Sequence, residues 1–287
     1  MDARFVIVER RLAVARQQQR PVEVGHRRAL GEQHRRRHRE ARPDHAADHH
    51  GEARRLRRSL DALEIASPAD DAALLALHRE VVARNALAEG MIYLQATRGA
   101  ADRDFAFPAA ATPGLVLFTQ ARALVDTAPA RDGIRVVTQP DIRWGRRDIK
   151  TVQLLAPSLA KMAARKQGKD DAWLVEDGLV TEGTSNNAYV VTRDGAVVTR
   201  GLSSEILHGI TRAAVLRLAR EAQLRVEERP FTVAEALDAA EAFVTAASAF
   251  VTPVVEIDGR PLGDGRPGPV TRRLREIYVE EARRTAI

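Results

Sequence analysis

Apolar residues recur at helical spacing in several segments of the chain from residue 53 onward. Leu56, Leu60 and Leu63 lie at positions i, i+4 and i+7, which predicts an amphipathic helix over residues 53–65. The same periodicity predicts helices over residues 69–88, 156–167, 210–222 and 271–285. Between them, short runs rich in Val, Ile and aromatic residues predict strands. These runs cover residues 91–97, 115–119, 134–138, 172–175, 188–192, 196–199, 224–228, 242–245 and 251–257.

The order of these elements, helices first and then mixed strands and helices, predicts an α/β fold of two lobes. A chain of 287 residues is long enough for two domains. Asp126-Thr127-Ala128-Pro129 interrupts the pattern and indicates the join. We therefore expect an aberrant head over residues 1–52, the remainder of a small α/β lobe over residues 53–126, and a large α/β lobe over residues 127–287.

The head differs from the rest of the chain in composition. Its first fifty residues hold 12 Arg and six of the chain's eight His, and residues 10–50 contain no Tyr, Phe, Trp or Ile. No stretch there keeps a convincing period of 2 or 3.6 residues. Three interpretations fit this composition: an Arg-rich arm that binds nucleic acid, a disordered tail, or GC-rich DNA translated in the wrong frame.

The net charge of +6 is concentrated in the head. Residues 1–50 carry a surplus of five positive charges, whereas residues 51–287, with 33 basic and 32 acidic residues, carry a surplus of one. The rest of the chain lacks the broad basic surface that phosphate backbones require, so we predict no nucleic-acid partner. Cysteine is absent, which excludes disulfides and thiolate metal sites, and we predict no metal. Because no apolar run could span a bilayer and no secretory signal is recognised, we expect a cytoplasmic protein without a membrane partner.

Three short segments carry candidate chemistry, and each also has a plainer interpretation. Lys150 is one of only four lysines, and lysine can form Schiff bases, although a lone lysine is more commonly a solvated surface charge. Glu182 stands among small polar residues, as a turn residue would. Gly209 and Thr211 begin a helix whose N–H groups and hydroxyl suit a phosphate, or simply form an ordinary helix N-terminus.

Taken together, in this order and spacing, these segments resemble the fold-type IV (class IV) pyridoxal-phosphate enzymes, most closely the D-amino-acid (D-alanine) aminotransferases. The likeness runs from about Arg54 to the end of the chain. It rests on residues 91–99, Asp141-Ile142-Arg143-Trp144, Asp148-Ile149-Lys150, and residues 182–187, 207–212, 243–248 and 252–259. The resemblance implies the two-lobed fold-type IV fold, pyridoxal 5'-phosphate as cofactor, an amino acid and a 2-oxo acid as substrates, and a homodimer.

The resemblance also implies roles for single residues. Lys150 holds the cofactor as a Schiff base and then moves a proton between the substrate α-carbon and the cofactor C4′. Glu182 faces the pyridine nitrogen and keeps it protonated, and Arg103 binds the substrate carboxylate. The other implied cofactor contacts are Arg55, Ser185, Leu207, Ile210, Thr211 and Ala247, of which Arg55, Ile210, Thr211 and Ala247 surround the phosphate.

The chain departs from the family at three places. Phe105 stands where the family commonly has His, and Ala247 stands where it usually offers a hydroxyl to the phosphate, so we expect a weakened contact from the Ala247 N–H and Ser248. The family's N-terminal strands, with a Tyr that completes the carboxylate site, have no counterpart in residues 1–50. Because the likeness starts so abruptly, we favour a frame error: the first lobe's N-terminal strands are missing or frame-shifted, and a sheet edge is left unpaired.

Transamination between a D-amino acid and a 2-oxo acid such as 2-oxoglutarate is therefore the predicted function. Residues 182–187 and Arg103 favour it over an L-branched-chain aminotransferase of the same fold. A 4-amino-4-deoxychorismate lyase uses the same cofactor chemistry and stays open as an alternative. An Arg-rich nucleic-acid-binding protein stays open only if the head is genuine, and translating the start of the coding DNA in the other two frames decides that point.

Overall fold

Two β-sheets form the framework of the protein in the computed structural model, which describes residues 6–14 and 47–285. The first sheet has, within these residues, three antiparallel strands in the order β1-β2-β3. They are β1 (Val6–Val14), β2 (Glu89–Thr97) and β3 (Gly114–Ala121). Helices α1 (Ala47–Ala62) and α2 (Asp71–Arg84) precede β2 in the chain.

The two helices of this first lobe pack on the sheet through the predicted apolar stripe. Leu56 and Leu60 of α1 and Leu74 of α2 are buried in one cluster with Leu94 of β2. Helix α2 starts where it does because the Asp70 side chain accepts a hydrogen bond from the Ala73 N–H at 2.8 Å and so caps the first turn.

The second sheet follows residues 122–133 of the chain, and the described residues contribute nine strands to it in the order β6-β5-β4-β11-β10-β7-β8-β9, with β12 beside β11. The pairs β4–β5, β4–β11 and β8–β9 are parallel, and the others are antiparallel. The strands are β4 (Ile134–Pro140), β5 (Asp171–Glu176), β6 (Leu179–Gly183), β7 (Asn187–Val191), β8 (Val197–Thr199), β9 (Val226–Glu228), β10 (Glu241–Ala246), β11 (Phe250–Ile257) and β12 (Arg260–Pro261). The helices are α3 (Ala128–Asp132), α4 (Leu155–Lys166), α5 (Ile210–Glu221), α6 (Val233–Asp238) and α7 (Pro269–Thr285).

Apolar clusters cover both faces of the second sheet. On one face Trp173 and Phe231 meet edge to face, with ring centroids 6.0 Å apart. On the other, helices α5 and α7 pack over stacked Tyr189 and Phe243. Because both faces are covered, every residue of β7 is buried, and the strand shows a continuous apolar run rather than an alternating one.

The predicted α/β fold is confirmed, and each predicted helix and strand corresponds to an observed one. One interpretation was wrong: residues 179–183 form a strand, so Glu182 lies on β6 and not in a turn. Asp177 and Gly178 connect β5 to β6 with φ angles of 51° and 76°, the left-handed backbone of a tight hairpin turn. An Asp-Gly pair between apolar runs was thus the sequence signal for this strand.

Within the described residues the edge of the first sheet lies at β1 and not at β2. Strand β1 runs antiparallel to β2 along its whole length, from Val6 opposite Thr97 to Val14 opposite Glu89. The other residues of the head before Ala47, namely 1–5 and 15–46, lie outside the described residues, so the frame error stays a prediction. No helix within the described ranges is long and apolar enough to cross a membrane.

Candidate active site

A cavity of about 670 Å³ lies where the two lobes meet. Its wall combines α1 and β2 of the first lobe with five parts of the second: the loop after β4, the start of α4, the β6–β7 turn, the start of α5 and the end of β10. Eight residues predicted from the sequence line this one cavity: Arg55, Lys150, Glu182, Ser185, Leu207, Ile210, Thr211 and Ala247. The fold thus brings together side chains that are almost two hundred positions apart in the chain.

The Glu182 carboxylate is buried in the cavity wall, and both of its oxygens accept hydrogen bonds. The Asn187 side-chain amide donates to Glu182 Oε2 at 2.9 Å, and the Leu207 N–H donates to both oxygens at 3.1 and 3.2 Å. On its far side Glu182 Oε1 accepts from Arg143 Nη1 at 2.5 Å. Burial raises the pKa of Glu182, and the Arg143 guanidinium and the Leu207 N–H oppose that rise.

Arg143 connects Glu182 to a second buried carboxylate. Its Nε and Nη2 donate to the two oxygens of Asp141 at 2.9 and 2.6 Å, a forked geometry that only arginine can make. Thr181 Oγ1 donates to the same carboxylate at 2.7 Å. The pKa of Arg143 rises despite its burial, because both carboxylates stabilise the guanidinium charge. Sequence reasoning missed this network, although the Asp141-Ile142-Arg143 spacing was its signal.

Lys150 lines the cavity on a loop that is anchored to both lobes. Its neighbour Ile149 is buried in the apolar cluster of the first lobe, beside the leucines of α1 and α2. Arg58 of α1 donates to the Asp148 carbonyl at 3.2 Å and to His208 Nδ1 at 2.8 Å. In the second lobe the Arg147 side chain binds Glu176 at 2.7 and 3.1 Å. These contacts fix the backbone directly before the lysine.

The start of α5, together with Thr211 and Arg55, forms a candidate binding site for an anion such as phosphate, the phosphate seat. Thr211 is 2% exposed, and its Oγ1 atom has no hydrogen-bond partner among the described residues. Gly209, the N-cap residue, supplies no side-chain cap, so the first N–H groups of α5 are left for a ligand. A Cβ atom at Gly209 would lie 2.2 Å from Asn187 Oδ1, which explains a glycine here. Arg55, 8% exposed, adds a positive charge to the same cavity wall.

These residues fit the expected cofactor. A buried hydroxyl without a partner is costly unless a ligand fills its hydrogen bond, and a phosphate on Thr211, Arg55 and the start of α5 would do so. A lysine and a carboxylate on the wall of the same cavity are groups that could serve as a covalent anchor and as the partner of a pyridinium nitrogen. Ala247, directly after β10, lines the same cavity, and its contact with a phosphate stays a prediction.

Aromatic and apolar residues to which the sequence reasoning assigned no role in the site line part of the cavity. Tyr93 of β2 lines it and stacks on Phe118 of β3, with ring centroids 4.6 Å apart. Its hydroxyl donates to Gln95 Oε1 at 2.7 Å. Ile142, Trp144 and Leu155 also line the cavity and are exposed to solvent, which gives it an apolar wall. Nothing in the sequence next to these residues indicated that they face a cavity.

Arg103 is the one predicted site residue that does not line the cavity of its own chain. It is exposed on the loop between β2 and β3, next to Phe105, which is 92% exposed. The Arg103 guanidinium lies 5.6 Å from the centre of the Phe105 ring. The role of Arg103 at the substrate carboxylate therefore stays a prediction.

The sequence and the fold of this chain are similar to those of known aminotransferases. The profile of the family described as amino-transferase class IV matches residues 46–257. A D-alanine aminotransferase of Staphylococcus aureus is 40% identical over 206 residues, which cover 71% of this chain and 72% of that protein. The solved branched-chain amino acid aminotransferase of Thermobaculum terrenum in its holo form with pyridoxal phosphate superposes with a TM-score of 0.77 at 23% identity, over 98% of this chain and 85% of that one. The branched-chain enzyme of Escherichia coli gives a TM-score of 0.79 at 21% identity, over 96% and 85%. The two superpositions show the shared fold.

Proposed function

We propose that this chain, which belongs to the amino-transferase class IV family, transfers the amino group of a D-amino acid of the D-alanine type to a 2-oxo acid such as 2-oxoglutarate. The chain is an aminotransferase that uses pyridoxal phosphate and acts on amino acids and 2-oxo acids. The observation that carries the proposal is the shared cavity of Lys150, Glu182 and Thr211. These three side chains offer a covalent anchor, a partner for the ring nitrogen and a phosphate ligand.

Each residue then has a chemical task. The cofactor supplies an electron sink for the electron pair left when a proton leaves the substrate α-carbon. Lys150 would hold the cofactor and, once its amine is free, would take the proton from the substrate α-carbon and deliver it to the cofactor C4′. Glu182 would keep the ring nitrogen protonated, which makes the sink effective. Arg55, Ile210, Thr211 and Ala247 would hold the phosphate, and Ser185 and Leu207 would be further cofactor contacts.

The D-configuration of the substrate is supported by likeness to the D-alanine aminotransferase of Staphylococcus aureus, the nearer in sequence of the relatives described above. Arg103 adds to this support, since it matches the carboxylate-binding arginine of that subgroup. A specific observation favours a second candidate, an L-branched-chain aminotransferase: Ile142, Trp144 and Leu155 give the cavity an apolar wall that suits a branched aliphatic side chain.

Turnover assays separate these possibilities. The protein is supplied with 2-oxoglutarate and either D-alanine or L-leucine, and the configuration of the glutamate formed is measured. We expect D-glutamate from D-alanine, with kcat/KM well above that for L-leucine, and no turnover by Lys150→Ala. L-glutamate from L-leucine at the higher rate would favour the second candidate. Release of pyruvate from aminodeoxychorismate without any 2-oxo acid would instead identify a lyase.

We also propose that the protein acts as a homodimer in which Arg103 serves the partner's cavity. Apolar side chains around its own cavity are exposed, among them Leu155 at 76% and Leu159 at 56% on α4, and Phe105 lies bare beside Arg103. An apolar surface of this kind is typical of an interface between subunits.

Subunit mixing tests this dimer. Lys150→Ala and Arg103→Ala proteins are each inactive or impaired alone, and are mixed after dissociation. If Arg103 acts across the interface, a hybrid dimer holds one cavity with both residues intact, and activity returns. If Arg103 acts within its own chain, no hybrid cavity is intact and mixing restores nothing. Sedimentation at equilibrium gives the mass of the unmixed protein, and a monomer would contradict the proposal.

A further inference from the structure

Arg275 on helix α7 binds four backbone carbonyls and joins two distant segments of the chain. Its Nη1 donates to the carbonyls of Ala249 and Val251 at 2.9 and 2.7 Å. Its Nη2 donates to those of Leu124 and Val125 at 3.1 and 2.7 Å. The first pair lies at the β10–β11 turn, and the second lies in the linker between the lobes. A single guanidinium therefore holds both segments.

The linker segment Leu124–Val125 is bound from both sides. Arg275 donates hydrogen bonds to the carbonyls of Leu124 and Val125. The carboxylate of Glu89 accepts hydrogen bonds from the N–H groups of the same two residues at 2.7 and 2.9 Å. Glu89 is the first residue of β2, so it belongs to the sheet of the first lobe. The peptide groups of Leu124 and Val125 thus connect Glu89 of the first lobe to Arg275 through hydrogen bonds.

The other segment that Arg275 holds is a strained turn next to the phosphate seat. Phe250, between the two bound carbonyls, has a φ of 59°, a left-handed conformation that is costly for an aromatic residue. Its ring is buried against Tyr278 of α7, with centroids 5.4 Å apart. The residues just before this turn, 246–248, line the cavity and include Ala247. The direction of the Ala247 N–H therefore depends on a turn that Arg275 clamps.

Among the bonds of Arg275 in the described residues, every acceptor is a carbonyl oxygen. Burial lowers the pKa of Arg275 and the nearby Asp126 opposes the effect, but guanidinium stays charged at any physiological pH. The flat fork of arginine can serve two acceptors from each terminal nitrogen, whereas lysine offers a single point of attachment. This geometry requires arginine, and a merely cationic residue would not replace it.

We propose that Arg275 is a positioning residue that couples the phosphate seat to the linker between the lobes. The inference rests on the phosphate seat of the proposed function. When phosphate is bound in the seat, the turn at residues 246–249 becomes less mobile. Because Arg275 binds both this turn and the linker, the backbone of Leu124 and Val125 becomes less mobile as well. By linkage, the arrangement of the lobes in turn changes the affinity for the phosphate group.

The test compares two ligands, pyridoxal phosphate and pyridoxal, which differ only in the phosphate. We expect Arg275→Gln to weaken binding of pyridoxal phosphate by about tenfold, the size of one lost charged hydrogen bond, and to leave pyridoxal binding within about twofold. Arg275→Lys keeps the charge without the fork and should behave in the same way, which guards against a Gln variant that folds poorly. Arg273→Lys, an exposed arginine on the same helix, is the matched control and should bind both ligands normally.

Hydrogen exchange supplies a readout that does not depend on turnover. Pyridoxal phosphate should increase the protection of the Leu124 and Val125 amides in the unsubstituted protein but not in Arg275→Lys. Equal losses for both ligands, or the same gain in protection in the variant, would overturn the coupling. Thr211→Val distinguishes failure of the seat itself: if that variant also binds pyridoxal phosphate normally, the phosphate seat and not only the coupling is wrong.

Discussion

The Arg143 guanidinium and the Glu182 carboxylate form a buried ion pair, with Arg143 Nη1 and Glu182 Oε1 2.5 Å apart. Their side chains are 12% and 5% exposed, so water screens the pair only weakly. Burial raises the pKa of Glu182, and the arginine opposes this rise, so the ion pair favours the ionised form. An ionised Glu182 can hold a proton on a ring nitrogen placed against it, whereas a neutral one cannot.

Arg143→Met should therefore damage both stability and chemistry. Removing one partner of a buried ion pair costs about 3–5 kcal/mol in the free energy of unfolding, and the remaining Glu182 should become protonated. Urea unfolding measures the first effect, and the absorption spectrum of the bound cofactor reports the protonation of its ring. Arg193→Met, which breaks an exposed pair with Asp238, is the control and should change neither. A spectrum identical to that of the unsubstituted protein would argue against the electrostatic role of Arg143.

Glu182→Ala should lower turnover far more than cofactor binding. Phosphate contacts supply much of the affinity, while the carboxylate supports the protonated ring only as the α-carbon loses its proton. We expect kcat to fall by about 10²–10³, with the dissociation constant of the cofactor changed much less. Stopped-flow absorbance and equilibrium titration give the two quantities. An equal loss in both would show that Glu182 serves binding and not catalysis.

Thr211→Val should have opposite effects on the empty protein and on the loaded one. Because Thr211 Oγ1 is buried without a partner among the described residues, replacing the hydroxyl by a methyl group should leave the empty protein as stable or more stable. Binding of pyridoxal phosphate should weaken by about tenfold through the lost hydrogen bond, and binding of pyridoxal should not. Thermal unfolding with and without each ligand shows both effects, and lowered stability without ligand would mean that the hydroxyl has a structural partner.

The His208 link between the lobes should make stability depend on pH. Burial lowers the pKa of His208, the Arg58 guanidinium lowers it further, and the Ser203 carbonyl at 3.0 Å opposes both. Between the folded pKa and the unfolded value of about 6.5, the unfolded chain binds more protons at this site. The free energy of unfolding should thus be fully retained above that value and fall as pH decreases through the window. His208→Asn, which keeps an acceptor for Arg58 but cannot titrate, should lose less stability on acidification; an equal loss would assign the effect to other groups.

Periodicity was sufficient to predict the main elements, because helices such as α1 and strands such as β2 bury one regular face. The candidate site was accessible only through the resemblance, since Lys150 and Glu182 are individually ordinary in sequence. The features that sequence could not predict depend on tertiary contacts. Nothing local in the sequence distinguishes Arg275 from the other arginines, because its burial depends on carbonyls that are distant in the chain. The strand β6 was missed because only its first two residues, Leu179 and Val180, are apolar, and the Thr181, Glu182 and Gly183 that follow resemble a turn in sequence.

The attachment of the cofactor to Lys150 is the claim on which the whole account depends, and borohydride reduction tests it directly. The protein is saturated with pyridoxal phosphate, reduced, digested and analysed by mass spectrometry, with Lys150→Ala as the blank. We predict a cofactor label on the peptide that contains Lys150 and on no other. A label on Lys161, Lys166 or Lys169 instead, or no label at all, would contradict the account.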